Sequence, residues 1–324
     1  MIPKPLGYRF WESSILLNGD GWIYPSPFLL HMKWILVRRI PLKNKLERLS
    51  PKIMAIPAWI FLAFFSIIPL IYVVSTSLTK STLAQPFKDF IWFNNFKQAV
   101  LDENFGRSLV NTFLFAFVVT TLETFFGFLL AYAVRGIRGL NTILRSIALL
   151  PMFTPPVAVS MIWKLIYDPN SGLLNHYLMK WGLTKGLIAF LGDPKLAFPS
   201  IMFADLWQWT PFCFILCYAA LQALPKAPFE AAEVDGASGW RVFRKLTLPL
   251  VLPQVIVVFL FKLLISLKVF DLVYMLTFGG PGNTTQVASF YIYRVAFKQF
   301  NTGYAAALSF LMLLIITIIA TLVT

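Results

Sequence analysis

Residues 225–253 read PKAPFEAAEVDGASGWRVFRKLTLPLVLP and form a charged stretch between two long apolar segments. The stretch predicts two short helices. Pro228 is typical of a first helical turn, and the acidic residues after it suit the positive end of the helix dipole. Gly236 is expected to end the first helix, and Ser238 to cap the second. The two alanines of EAA leave one face small, so we expect a docking surface for a partner protein.

The apolar segments on either side belong to a set of six that are long enough to cross a membrane. Hydrophobic residues make up 58% of the 324-residue chain, charged residues 13%, and the mean hydropathy is +0.72. A soluble domain carries about a quarter charged residues, and a helix crosses the hydrocarbon core in about 20 residues. The sequence therefore predicts an all-α integral membrane protein with six spans, the third kinked by prolines: 53–79, 108–134, 146–166, 196–224, 248–276 and 303–324.

Basic residues indicate the orientation of these spans. Sixteen Lys and Arg precede the first span or lie in the loops on its side, whereas the opposite loops hold nine. By the positive-inside rule, both termini and the loop at 225–247 are cytoplasmic. Residues 1–52 then form a cytoplasmic N-terminal arm. Within it, FLLHMKWILVRRI at 28–40 predicts an interfacial helix, the alternative being a disordered arm.

Several classes of function are excluded by residue usage. The net charge is +14, but the basic residues cluster between apolar runs rather than along one stripe. This distribution indicates contact with lipid rather than with nucleic acid. Cys213 and Cys217 are expected to be packing residues without a disulfide. Neither His31 nor His176 has a ligand-type neighbour at metal spacing. No phosphate-binding G-x-x-x-x-G-K-[ST] motif occurs, so we expect a non-catalytic chain that binds no cofactor itself.

Five ionisable residues lie within the predicted spans: Glu123, Asp205, Lys262, Lys268 and Asp271. Each costs at least about 2.5 kcal/mol in hydrocarbon and therefore marks either an ion pair or the solute path. Lys268 and Asp271 are three residues apart on one predicted helix and are expected to neutralise each other. Lys262 either pairs with Glu123 or faces a cavity and meets the solute.

Aromatic residues near these charges suggest where a solute could pass. Rings beside polar groups suit a sugar-stacking site, although aromatic residues in spans more often serve as packing or interface anchors. The candidate solute path comprises Lys262, Asp205, Trp209, Phe270, Asp271 and Tyr274.

The charged loop carries a family resemblance. The loop contains the pattern E-A-A, three residues, Gly, nine residues, an aliphatic residue, one residue and Leu-Pro. The pattern begins at Glu230, has its glycine at Gly236 and its aliphatic residue at Leu246, and ends at Pro249. This pattern resembles the signature loop of permease subunits of ABC importers, with Leu246 where Ile is usual. LPMFTPPVAVSMIWKLIYDPNSGLLN (150–175) and TFGGPGNTTQVASFYIYRVAF (277–297) agree with the carbohydrate, MalF-like branch. The resemblance covers residues 55–324.

The resemblance implies a type I importer permease in a bacterial inner membrane. Its partners would be a second homologous permease subunit, two ATPase subunits that hold ATP and Mg, and an external solute-binding protein. ATP-driven closure of the ATPases would move the spans through a coupling helix at 228–236. The expected ATPase contacts are Glu230, Ala231, Ala232, Glu233, Asp235, Gly236, Ala237 and Ser238.

Two other functions remain open from the sequence. A secondary transporter or channel acting alone would need its own gating ions and usually inverted repeats, and it would leave the loop unexplained. Within the importers, the solute is an oligosaccharide or another solute such as glycerol phosphate. The length and the basic N-terminal arm are similar to the permease of an alginate-type importer, which favours an acidic oligosaccharide.

Overall fold

The computed structural model describes residues 15–17, 23–25, 41–135 and 141–323. The interfacial helix predicted at 28–40 lies outside these residues. In the N-terminal arm, strands β1 (Ile15–Leu17) and β2 (Ile23–Pro25) form an antiparallel pair, which the all-α prediction lacked. By residue contacts the chain divides within its first helix, into residues 1–69 and 70–324.

From residue 41 onward the described elements are helical, as predicted. The α-helices are α1 (Pro41–Ser77), α2 (Asn94–Leu101), α3 (Glu103–Val134), α4 (Asn141–Phe153), α5 (Pro156–Ile166), α6 (Leu173–Lys180), α7 (Ala197–Gln222), α8 (Ala227–Val234), α9 (Gly239–Val242), α10 (Leu248–Ser266), α11 (Asp271–Leu276), α12 (Ala288–Tyr293) and α13 (Thr302–Val323). Two π-helical turns, Phe243–Thr247 and Arg294–Lys298, precede α10 and follow α12.

Five helical stretches in the described residues are long and apolar enough to cross a membrane: Met54–Ser77, Glu103–Val134, Ala197–Gln222, Gly239–Ser266 and Thr302–Leu322. A sixth candidate is the pair Ser146–Phe153 and Pro156–Ile166, which meet at an angle of 98°. The six-span prediction is confirmed when this bent pair counts as one span. The expected kink at the prolines is a sharp break.

The fifth span is shorter than predicted. Its helix ends at Ser266, and a new helix starts at Asp271, so residues 248–276 are two helices. The hydroxyl of Ser289 donates to the Val269 carbonyl in the turn. Lys268 and Asp271 are exposed here. The break thus keeps two charges out of a continuous apolar helix, and Ser289 satisfies a carbonyl that the break leaves free.

The main helix contact joins α3 and α7. A Cβ at Gly127 would lie 2.7 Å from both the Cβ of Cys213 and the backbone N of Phe214, so only glycine permits this approach. Cys213 and Cys217 are buried and free, which confirms that they are packing residues. The same close packing brings the charged residues of α3, α7 and α10 together.

Candidate functional site

Both helix breaks border one cavity of about 120 Å³ between α7, α10 and α11. Pro156 at the first break and residues 268–272 at the second line it, together with Asp205, Gln208 and Lys262. Gln208 of α7 donates from Nε2 to the Thr154 carbonyl at 3.1 Å, which satisfies a carbonyl in the break between α4 and α5. Irregular backbone at membrane depth is tolerated where it is covered by protein or lines a cavity.

Lys262 is the centre of a buried charge cluster at this cavity. Its Nζ lies 2.9 Å from Glu123 Oε2 and 3.1 Å from Asp205 Oδ2. It donates hydrogen bonds to Asp205 Oδ2 and, at 2.8 Å, to Ser266 Oγ. The exposed fractions of Glu123, Lys262 and Asp205 are 0%, 1% and 4%. The pairing of Lys262 with Glu123 is therefore confirmed, with Asp205 as a second partner that the sequence did not indicate.

The other candidate path residues divide into two groups. Trp209, Phe270 and Asp271 line the same cavity, and the Trp209 ring lies 5.3 Å from Lys262 Nζ. Tyr274 does not line it, and instead stacks on Phe270 with ring centroids 5.4 Å apart. Five of the six predicted residues thus line one cavity, and the sixth contacts one of these five. Gln208 and Ser266 were missed, although polar residues inside apolar spans were themselves a signal.

The expected pairing of Lys268 with Asp271 is wrong. Among the described residues neither side chain forms a salt bridge, and both are exposed at the rim of the cavity. Lys268 lies in the turn after α10, whereas Asp271 begins α11. The i, i+3 spacing that pairs side chains on one helix does not apply across this break.

The charged loop folds as the sequence predicts, with one difference. Helix α8 ends in a Schellman motif, in which Gly236 N donates to Glu233 O at 3.1 Å and Ala237 N to Ala232 O at 2.9 Å. Gly236 has φ +64°, the left-handed conformation that favours glycine. Ser238 occupies the N-cap of α9, but its side chain makes no capping hydrogen bond.

One face of this loop is anchored and the other is free. Arg135 lies 4.9 Å above the Phe229 ring, and the Phe243 ring lies 4.8 Å from Tyr132 at the end of α3. The eight residues expected to contact an ATPase are exposed, apart from Ala232 and Ala237, which are half-buried. Val234 and Trp240 beside them are 88% and 70% exposed. These two apolar residues extend the free face and were missed from the sequence.

A second, polar groove of about 730 Å³ lies at the opposite end of the helices, between the start of α3 and the loop at 282–286. The groove is held by side-chain bonds to that loop. Asn111 Nδ2 donates to Gln286 O at 2.9 Å, and Gln286 Nε2 donates to Ser108 Oγ at 3.0 Å. Arg294 donates to Asn283 Oδ1 at 2.8 Å. The motif TFGGPGNTT thus forms one wall of an open groove.

Three comparisons with known proteins bear on this architecture. Residues 123–324 match the model of the family described as "binding-protein-dependent transport system inner membrane component". The chain is 34% identical, over 81% of its length and 88% of the relative's, to the trehalose/maltose transport system permease protein MalF of Thermococcus litoralis. It is 32% identical to the diacetylchitobiose uptake system permease protein NgcF of Streptomyces coelicolor, over 83% and 79% of the two chains.

The fold is also similar to a solved structure. A chain in the crystal structure of a bacterial alginate ABC transporter, in complex with an alginate pentasaccharide-bound periplasmic protein, superposes with a TM-score of 0.75. The match covers 88% of this chain and 96% of that chain, at 24% sequence identity. At this identity the likeness concerns the fold.

Proposed function

Since the chain belongs to the family of binding-protein-dependent transport-system inner-membrane components, we propose that it is the permease subunit of an ATP-driven importer of an oligosaccharide. The observation that carries this proposal is the free face of the loop at 228–240. It presents acidic and small side chains next to exposed Val234 and Trp240, on a helix whose opposite face is anchored to α3. In a loop that contacts only solvent, two large exposed apolar side chains would have no partner, whereas in a docking surface they would be buried.

Coupling would run through this loop into α10. An ATPase subunit docks on α8, and its ATP-driven movement displaces the loop. Phe243 transmits the displacement because it packs on Tyr132 of α3 and stands in the π-helical turn that continues into α10. The chain itself holds no ATP; the nucleotide and Mg belong to the ATPase partners. Both termini and this loop lie on the cytoplasmic side in this arrangement.

The coupling role is tested by solute-stimulated ATP hydrolysis in the reconstituted transporter. Glu230→Lys reverses a charge on the free face, and Gly236→Val places a β-branched residue at φ +64°. Both variants should insert normally and lose stimulated hydrolysis by roughly tenfold or more, as about 1.4 kcal/mol of lost coupling suffices. Gly186→Ala is the control, because this exposed glycine lies outside the loop at 228–240 and a Cβ there meets nothing within 4 Å. Normal stimulation in both variants would refute the coupling role.

The membrane cavity is the proposed solute path. Trp209 and Phe270 supply apolar ring faces at one cavity, and Gln208 Oε1 has no hydrogen-bond partner among the described residues. Ring faces beside an amide acceptor suit a carbohydrate, which stacks its CH face and donates its hydroxyls. The names of the relatives, which transport trehalose, maltose or diacetylchitobiose, support an oligosaccharide. The exposed ammonium of Lys268 at the rim suits an acidic sugar.

Two tryptophans in α7 provide a matched test of this path. Trp209 lines the cavity, whereas Trp207 lines a separate apolar pocket with Phe126 and Phe203. Trp209→Ala should lower the rate of oligosaccharide uptake by roughly tenfold or more through loss of a stacking surface worth about 1–2 kcal/mol. Trp207→Ala should leave uptake within about twofold at equal expression. Equal losses would argue against the cavity as the path.

The outer groove is the proposed contact surface for the solute-binding protein. Exposed Glu103 and Arg107 border it, and its floor is polar. Arg107→Glu should weaken binding of the cognate binding protein to the reconstituted transporter, with an increase in Kd of about fivefold or more. Lys185→Glu, in another outer loop, is the control. An unchanged Kd for Arg107→Glu would place the contact elsewhere.

A lone transporter is the alternative function. An importer assembly is favoured because a lone transporter would leave the exposed loop at 228–240 unexplained. Purification of the chain in mild detergent should recover a second permease and an ATPase in defined ratio. Solute uptake into vesicles that contain this chain alone would support the alternative.

A further inference from the structure

The buried cluster around Lys262 has an unbalanced charge. Glu123 on α3 and Asp205 on α7 both lie within 3.1 Å of the single ammonium of Lys262 on α10. With all three groups ionised, the cluster would carry a net charge of −1 at a site where every member is buried. An uncompensated charge in such an environment costs several kcal/mol. One further positive charge is therefore required.

The ammonium itself is held in its charged form. Lys262 Nζ donates to Asp205 Oδ2 at 3.1 Å and to Ser266 Oγ at 2.8 Å, and lies 5.3 Å from the Trp209 ring. An ammonium has three donors and no acceptor, and aromatic faces attract cations. Loss of its proton would make the cluster more negative. The missing positive charge must therefore be on one of the carboxyl groups or come from outside.

The contacts distinguish the two carboxyl groups. Asp205 accepts a hydrogen bond from the ammonium and lines the cavity. Glu123 is 0% exposed, and neither of its carboxyl oxygens accepts a hydrogen bond, since the 2.9 Å contact with Nζ has no hydrogen-bonding geometry. A carboxylate without donors is the most costly ion to bury.

The carboxyl groups of Glu123 and Asp205 are neighbours, since Glu123 Oε2 and Asp205 Oδ2 lie 2.9 and 3.1 Å from the same Lys262 Nζ. Two neighbouring carboxylates repel each other and have no donor between them, so a proton on one carboxyl group would remove the repulsion and supply a donor. The other charged groups near the cavity are Lys268 and Asp271, which are exposed at its rim and oppose each other in sign.

We propose that the cluster is a proton-binding site, in which Glu123 is a neutral carboxylic acid that donates to Asp205, while Asp205 and Lys262 form the ion pair. One bound proton makes the cluster neutral and joins α3, α7 and α10 by hydrogen bonds. It also commits the ammonium of Lys262 to protein groups, so Lys262 offers no free positive charge to a solute. This inference concerns residues within one chain and does not depend on the proposed transport function.

The test uses infrared spectroscopy and thermal unfolding of the full chain in lipid. The wild-type chain should show a protonated-carboxyl carbonyl band that Glu123→Gln removes, because the glutamine amide replaces the acid as a donor to Asp205. This variant should unfold within about 2 °C of wild type, whereas Lys262→Met leaves a buried carboxylate unpaired and should unfold roughly 6 °C lower or more. Glu103→Gln, at an exposed glutamate, is the control and should retain the band.

Three outcomes would overturn the proposal. Unfolding of Glu123→Gln at a temperature as low as that of Lys262→Met would show that Glu123 is ionised in the folded chain. Retention of the protonated-carboxyl band in Glu123→Gln would place the proton elsewhere. A wild-type unfolding temperature that rises with Na⁺ and loses this dependence in Glu123→Gln would assign the missing charge to a metal cation and refute proton binding.

Discussion

Gly127 determines how closely α3 and α7 pack. A Cβ at this position would lie 2.7 Å from the Cβ of Cys213 and from the backbone N of Phe214, so the two helices must move apart to admit it. Gly127→Ala should lower the free energy of unfolding by roughly 1–3 kcal/mol through overpacking. Gly106→Ala lies in the same helix and meets nothing within 4 Å, so it should be neutral or stabilising. Chemical denaturation in detergent measures the free energy of unfolding of both variants. Equal losses in Gly127→Ala and Gly106→Ala would contradict the close approach of α3 and α7.

Asp102 joins three elements at the N-terminal end of α3. It caps the helix by accepting from Asn104 N at 2.8 Å, and it accepts from the hydroxyls of Tyr291 and Tyr304 at 2.5 and 2.6 Å. Burial opposes ionisation, but the tyrosine and backbone donors outweigh it and hold the pKa of Asp102 below its ordinary value. The carboxylate therefore stabilises the fold at neutral pH and loses this effect as the pH falls below its ordinary pKa of 3.8.

Removal of this carboxylate should be costly at neutral pH. Asp102→Ala should lower the free energy of unfolding by roughly 2 kcal/mol, and the deficit should shrink as the pH falls below about 4. Asp89→Ala, at an exposed aspartate, should have little effect at either pH. Thermal unfolding at pH 7 and at pH 3.5 compares the stability of each variant with that of the wild-type chain. A deficit that is independent of pH would mean that the charge of Asp102 contributes nothing.

At the residue scale, composition identifies which side chains are in the membrane but not which of them meet. The pairing of Lys262 with Glu123 was one of two alternatives from the sequence, and the partnership with Asp205 was not foreseen. The sequence of a span does not show which face of the helix contacts a neighbouring helix. The close approach at Gly127 determines which faces of α3, α7 and α10 meet. The i, i+3 spacing misled at Lys268 because the helix ends before it.

At the element scale, the spans were predictable because an unbroken apolar run of about 20 residues has few soluble alternatives. The loop at 225–247 was also predictable, since Gly236 and Pro228 act locally. The break after Ser266 was not, because no proline or glycine marks it and a carbonyl in the turn is satisfied by Ser289, distant in sequence. Such a break depends on tertiary contacts rather than on local propensity.

The break after α4 should depend on one side chain of α7. Gln208 is 2% exposed, and its Nε2 satisfies the Thr154 carbonyl in the break between α4 and α5. Gln208→Leu should reduce the free energy of unfolding by about 1–3 kcal/mol, the cost of a buried unsatisfied group. Gln222→Leu, which loses only a part-buried bond to Tyr218, is the control. Stability of Gln208→Leu equal to that of the control would argue against this role.

For the whole molecule, sixteen basic residues on one side against nine on the other predict the orientation across the membrane, and this orientation would decide on which side of the membrane each surface lies. Cysteines introduced at Asp89 and Lys185 should react with an impermeant thiol reagent added outside intact cells, because both positions are exposed in loops that the sequence predicts to be on the outer side. Cysteines at Glu233 and Lys245 should react only after the membrane is opened. Native Cys213 and Cys217 are buried and should give little background. Labelling at Glu233 in intact cells, with protection at Lys185, would reverse the orientation, and the free face of α8 would then be unable to meet a cytoplasmic ATPase.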